Sequence, residues 1–122
     1  MTMATILIID DEESVRALLR FALEAAGYEV TEAANGRQGL ERYRQRPTDL
    51  VIVDMLMPVM NGMDMLLDLT REFLHAKVIA ISGAGGAQNV LDVAKLLGAR
   101  EIFQKPFSVA QLLDAVRYEL EH

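Results

Sequence analysis

Five short apolar runs, separated by segments of helical periodicity, constrain this chain more than any other feature. They are Ile6-Leu7-Ile8-Ile9, a run within residues 28–33, Leu50-Val51-Ile52-Val53, residues 77–81 and residues 101–104. Apolar runs this short, set between turn residues, suit strands covered on both faces. Between the first two, residues 14–26 put Val15, Leu18, Leu19, Ala22 and Leu23 on one helical face and turn Arg16, Arg20 and Glu24 outward, with Gly27 as the C-cap. Further helices are expected over 36–45, bounded by Pro47; over 63–73, after Pro58 and the Asn61-Gly62 turn; over 89–97, ended by Gly98; and over 109–120, capped by Ser108. Ser82-Gly83-Ala84-Gly85-Gly86 reads as a flexible loop. Strands joined by single helices need right-handed crossovers, so the fold class is α/β, a doubly wound parallel five-stranded sheet with helices on both faces.

The chain of 122 residues is expected to form a single domain over 1–122. At that length roughly two-thirds of the unfolded surface is buried on folding, enough for an independent core. Apolar residues make up 52% and charged ones 25%, too apolar a balance for disorder. The absence of cysteine excludes disulfides and thiolate metal sites. No apolar stretch approaches the roughly 20 residues that cross a bilayer, and residues 1–5 lack the basic start of a signal peptide. A cytoplasmic location without membrane contact is therefore expected. The formal charge of −6 argues against direct contact with nucleic acid, whose phosphates are met by basic surfaces.

Three of the runs end in acidic or basic residues: Asp10 and Asp11 after the first, Asp54 after the third, Lys105 after the fifth. In a parallel sheet the carboxyl ends of the strands share one edge, so three carboxylates and an ammonium converge there. Taken with Asp54-Met55-Leu56-Met57-Pro58-Val59-Met60-Asn61-Gly62, Ser82-Gly83 and Phe103-Gln104-Lys105-Pro106-Phe107, this set resembles the receiver domain of bacterial two-component response regulators, in order and spacing over nearly the whole chain. The resemblance implies a flavodoxin-like (βα)5 fold with strand order 2-1-3-4-5 and the site at its topological switch point. It also implies a phosphohistidine donor on a sensor histidine kinase or phosphotransfer protein, and a cis bond before Pro106. Phosphorylation would rework the face made by the fourth helix, fifth strand and fifth helix. An output domain or downstream protein would read that face, which is also compatible with homodimerisation.

The residue types support the same chemistry. Clustered carboxylates raise one another's pKa values unless a cation joins them, and Mg²⁺ takes one or two carboxylates with waters and phosphate oxygens. Asp11 and Asp54 suit direct ligation and Asp10 ligation through water; the family pattern adds the carbonyl of Leu56. Asp54 can accept a phosphoryl group as a mixed anhydride while Mg²⁺ and Lys105 offset the gathering charge. Ser82 can donate its hydroxyl to a phosphoryl oxygen. If Ser82 moves, the ring of Phe103 can follow as a packing switch. Leu56 and Ala84 stand where polar side chains orient an attacking water in this family, so slow autodephosphorylation is expected of a regulated switch rather than an enzyme with turnover.

Each residue also has a plainer reading. Asp10 to Glu13 suit a solvated acidic helix start, Asp54 a turn, Ser82 a loop, Lys105 a surface lysine and Phe103 core packing. Met55, Met57, Met60, Met63 and Met65 suit gap filling. A dehalogenase-type phosphatase needs a second aspartate where Leu56 stands, and a dinucleotide fold needs a third glycine where Gln88 stands. An inert pseudo-receiver would lack part of the acid, serine and lysine set that this chain retains.

Overall fold

The computed structural model describes residues 3–57, 60–83 and 87–122, without the side chains of residues 87 and 88. The order is β1 (Thr5–Ile9), α1 (Glu13–Ala25), β2 (Glu29–Ala33), α2 (Gly36–Gln45), β3 (Leu50–Asp54), α3 (Gly62–Glu72), β4 (Val78–Ser82), α4 (Ala87–Leu96), β5 (Glu101–Gln104) and α5 (Val109–Glu121). The strands form one parallel sheet in the order β2-β1-β3-β4-β5, the flavodoxin-like arrangement. None of the helices among the described residues is long and apolar enough to cross a membrane.

The period-two alternation of each strand divides the core in two. Leu7, Ile9, Val51, Val53, Val78 and Ala80 face one side, where Leu40 and Tyr43 of α2, Met65, Leu66 and Leu69 of α3, and Leu91 and Ala94 of α4 cover them. Ile6, Ile8, Leu50, Ile52, Ile79 and Ile81 face the other, under Leu19 and Leu23 of α1 and Leu112 and Val116 of α5. Because β1, β3 and β4 are buried on both faces, truncating a central residue such as Ile52 to alanine should cost about 2–5 kcal/mol. Met55, Met57 and Met65 are buried, and Met60 and Met63 pack beside them, which fits gap filling.

Local chemistry sets the element ends. Asn35, Asn61 and Ser108 cap α2, α3 and α5 by accepting from the N–H groups of Gln38, Asp64 and Gln111. Gly27 and Gly98 end α1 and α4 with φ of +96° and +112°, a region that disfavours any side chain. Leu18 departs from the expected apolar face, for it is half exposed beside the exposed Phe21. The stripe that meets the sheet is centred on Leu19 and Leu23, and Leu18 lies about a quarter turn away. Ser82 also differs, being the last residue of β4 rather than the first of the loop. It pairs with Gln104, and its carbonyl accepts from the N–H of Lys105 at 2.7 Å, which carries the β4–β5 ladder one step further.

Candidate functional site

The carboxyl ends of β1, β3 and β5 bring their polar residues together. Asp10 follows β1, anchored by its N–H on the carbonyl of Ala33 at 3.1 Å and by its own carbonyl, which accepts from Arg16 Nη1 at 2.7 Å. Arg16 is itself held by Glu32 of β2 at 3.1 Å. Asp54 ends β3 beside Ile81 of β4, and its Oδ1 accepts from the N–H of Leu56 at 3.0 Å. Asp10 Oδ1 accepts from the N–H of Glu12 at 2.9 Å. Each buried aspartate is thus oriented by the backbone two residues on.

Lys105 reaches into this group from the turn after β5. Its Nζ lies 3.1 Å from Asp10 Oδ2, 3.0 Å from Glu12 Oε1 and 3.3 Å from Asp54 Oδ2. The Lys105–Pro106 bond is cis, as the resemblance implied. Oxygens of Asp10, Glu12 and Asp54 all lie within 4.8 Å of one another, an arrangement able to hold a metal ion. Asp11 stands exposed next to them and outside this trio. Glu12, which the sequence suggests only as part of an acidic helix start, takes the third place.

Electrostatics follow from burial and crowding. Burial raises the Asp10 carboxyl above its ordinary range, against the lowering effect of the Glu12 N–H and Lys105. Burial, then the charge of Asp10, raises Asp54, while the Leu56 N–H and Lys105 pull the other way. For Lys105 burial favours the neutral amine, but Glu12, Asp10 and Asp54 outweigh it and hold the ammonium firmly protonated. Two aspartates that resist ionising beside one firmly charged lysine make a site still short of positive charge, which a divalent cation fits.

Ser82 is fully buried, and its Oγ is the one buried side-chain polar atom without a hydrogen-bond partner among the described residues. Such a group costs about 1–3 kcal/mol unless something else satisfies it. Ser82 lies one residue past Ile81, the cross-strand partner of Asp54, and so borders the same edge. Leu56 has a half-exposed side chain there. Phe103 is partly buried in the layer under α1 and α5 and meets the ring of Phe107 edge to face, with centroids 6.4 Å apart. Pro58 and Ala84 lie outside the described residues.

A buried aspartate, a lysine, an acidic trio and an unpaired serine at the switch edge of a 2-1-3-4-5 sheet fit one family in particular. The family model for the response regulator receiver domain matches residues 6–117. This chain belongs to that family. As a receiver domain it is a phosphoacceptor of two-component systems and a signalling switch. It is 36% identical over 112 residues to Chemotaxis protein CheY of Thermotoga maritima, covering 91% of this chain and 92% of that protein. It is equally identical, over 112 residues, to Sporulation initiation phosphotransferase F of Bacillus subtilis, covering 92% and 90% of the two chains. The crystal structure of a response regulator receiver domain protein from Clostridium thermocellum superposes with a TM-score of 0.90 at 34% identity, over 98% of this receiver domain and 95% of that one. Receiver domains generally bind a divalent metal at an acidic pocket, and Asp10, Glu12 and Asp54 are grouped closely enough here to hold such an ion.

Sequence reading missed Glu12 as a member of the cluster. The available signal was a glutamate directly before α1, a side chain too long to make the short capping bond that Asn, Ser or Asp makes there.

Proposed function

We propose that Asp54 is the phosphoacceptor of this receiver domain and that a sensor histidine kinase or phosphotransfer protein supplies the group from phosphohistidine. An Asp54 carboxylate oxygen attacks phosphorus, the phosphorus–nitrogen bond of the donor breaks, and the imidazole leaves, regaining a proton as neutral histidine. The observation that carries this reading is the contact of Lys105 with Asp54 at 3.3 Å beside the unpartnered hydroxyl of Ser82. Lys105 offsets charge on the transferring group, and Ser82 offers it a hydrogen bond that no described residue satisfies. Asp10, Asp11 and Asp54, with the carbonyl of Leu56, would hold Mg²⁺. Bound there, the ion would supply positive charge that lowers the cost of gathering phosphate and carboxylates.

The readout follows from packing. A hydrogen bond from Ser82 to the new phosphoryl group would draw the end of β4 toward Asp54, and Phe103 on neighbouring β5 would repack against Phe107. The surface of α4, β5 and α5 would then change for an output domain, a downstream protein or a second copy of the chain. Leu56 presents no polar side chain to orient water, so the phosphorylated form is long-lived. Mass spectrometry after incubation with acetyl phosphate and Mg²⁺ tests the assignment. One added phosphoryl group is expected on the parent and none on Asp54→Asn; a gain that persists in the variant would move the acceptor elsewhere.

A further inference from the structure

Glu12 holds the N-cap position of α1 with an extended backbone, φ −88° and ψ 112°, yet its side chain makes no capping bond. The helix therefore gains little from glutamate at this position, since the favoured caps are short side chains that reach the next turn's N–H groups. The carboxylate instead crosses 93 residues of chain to Lys105, at 3.0 Å the shortest of the three contacts to that ammonium. The other two partners are fixed. Asp10 and Asp54 are buried, and each accepts a second hydrogen bond from a backbone N–H. The Glu12 side chain is more than half exposed, and among the described residues Lys105 is its sole hydrogen-bond partner. It alone can withdraw into water without stranding a buried charge.

We propose that Glu12 is a positioning residue, a releasable tether that holds Lys105 in the unphosphorylated state and yields the ammonium to the phosphoryl group on Asp54. The inference rests on Asp54 being the acceptor. Two effects of the Glu12 charge have the same sign: it attracts Lys105 before transfer, and it repels the phosphoryl group after transfer. Both favour the unphosphorylated state, so removing the charge promotes phosphorylation once the metal is saturating. Because the tether is an exposed ion pair, the effect is modest, about two- to five-fold. Glu12 is outside the proposed Mg²⁺ ligand set, but removing its negative charge from beside Asp10 and Asp54 also weakens the site's attraction for the ion, so saturation must be established for each variant.

The test compares the full chain with Glu12→Gln and Glu12→Ser, following phosphoryl uptake from acetyl phosphate by mass spectrometry at saturating Mg²⁺. Both variants should take up phosphate about two- to five-fold faster than the parent, and Glu12→Ser, which can cap α1, should melt no lower than the parent. In metal-free protein, the side-chain ¹³C–¹H signals of Lys105 at Cε should move in Glu12→Gln, a change that a role confined to helix stability would not produce. Uptake at the parent rate or slower, or an unmoved Lys105 signal, overturns the tether while leaving Asp54 as acceptor. A parent that takes up no phosphoryl group overturns the acceptor reading, and the tether falls with it.

Discussion

The ammonium of Lys105 lies 3.3 Å from Asp54 Oδ2, joining the turn after β5 to the end of β3 across the intervening β4. Asp10 and Glu12 share the same ammonium, so one lysine is the countercharge for three carboxylates. Replacing it by methionine keeps most of the packing and removes the charge. Lys105→Met should slow phosphorylation by acetyl phosphate on the order of 10²-fold, the scale of one transition-state charge contact. It should also lower metal-free stability at pH 7 by about 1–3 kcal/mol, since buried acceptors lose their donor. Urea unfolding measures the second effect; a variant as stable as the parent would show that the three contacts do not support the fold.

Asp54 should behave oppositely. Burial, with the charge of Asp10, holds its carboxyl above the ordinary range, so the ionised form is unfavourable in the folded metal-free protein. With the folded-state pKa above the unfolded one, the folded chain binds more protons in the interval between them, and stability falls as pH rises through that interval. Asp54→Asn should therefore raise the melting temperature at pH 7 by a few degrees, at about 4 °C per kcal/mol for a domain of this size. The gain should shrink below the unfolded carboxyl range, near pH 3 to 4. Mg²⁺ should stabilise the parent more than the variant, because a ligand that binds only the folded state shifts unfolding by mass action. Thermal melts at two pH values, with and without Mg²⁺, check all three signs; a lower melting point for Asp54→Asn at pH 7 would refute the account.

Leu56 donates its N–H to Asp54 Oδ1 at 3.0 Å, while its half-exposed side chain offers no hydrogen bond to water. Asparagine keeps the backbone contact and adds an amide that can orient an attacking water. Leu56→Asn should accelerate loss of the phosphoryl group on the order of tenfold, since orientation is a large part of such barriers. Unfolding midpoints should differ little, because the residue lies outside the buried core. Single-turnover decay of phosphorylated protein after donor removal gives the rate, and an unchanged or slower decay would discount water orientation as the limit.

The repeating strand and helix pattern was legible because buried parallel strands cannot hide their composition: Leu50 to Val53 and Ile6 to Ile9 are apolar on both faces and fully buried. Their convergence at one edge followed from parallel geometry, and Asp10, Asp54 and Lys105 meet there. Strand order did not follow from periodicity; it came from the family resemblance, since any strand of this kind could occupy the centre. Two site details escaped the reading for a common reason. Whether Asp11 or Glu12 turns toward Lys105 depends on the path of the β1–α1 turn, and an acidic run has no periodicity to reveal it. Ser82 belongs to β4 because Gln104 and Lys105 extend the ladder from a strand remote in sequence, which local loop composition conceals.

Gly62 ties the fold to the site most directly. It opens α3, and its N–H donates to the carbonyl of Met55 at 3.2 Å, bringing the helix start against the end of β3. A Cβ at this position would stand 2.5 Å from the Asp54 carbonyl oxygen and 2.5 Å from Met55 Cα. Both neighbours are backbone, so no rotamer change relieves the clash. Gly62→Ala should cost about 1–3 kcal/mol, as overpacking does. The adjustment would displace Asp54 relative to Lys105 and Ser82, and misplacement by about 1 Å can cost on the order of 10²-fold in rate. Gly83→Ala is the matching control: a Cβ there meets nothing within 4 Å among the described residues, so its stability should stay within about 0.5 kcal/mol of the parent. Denaturant midpoints together with acetyl phosphate labelling rates distinguish the two; a Gly62→Ala protein with parental midpoint and rate would mean that α3 can recede without disturbing the acceptor.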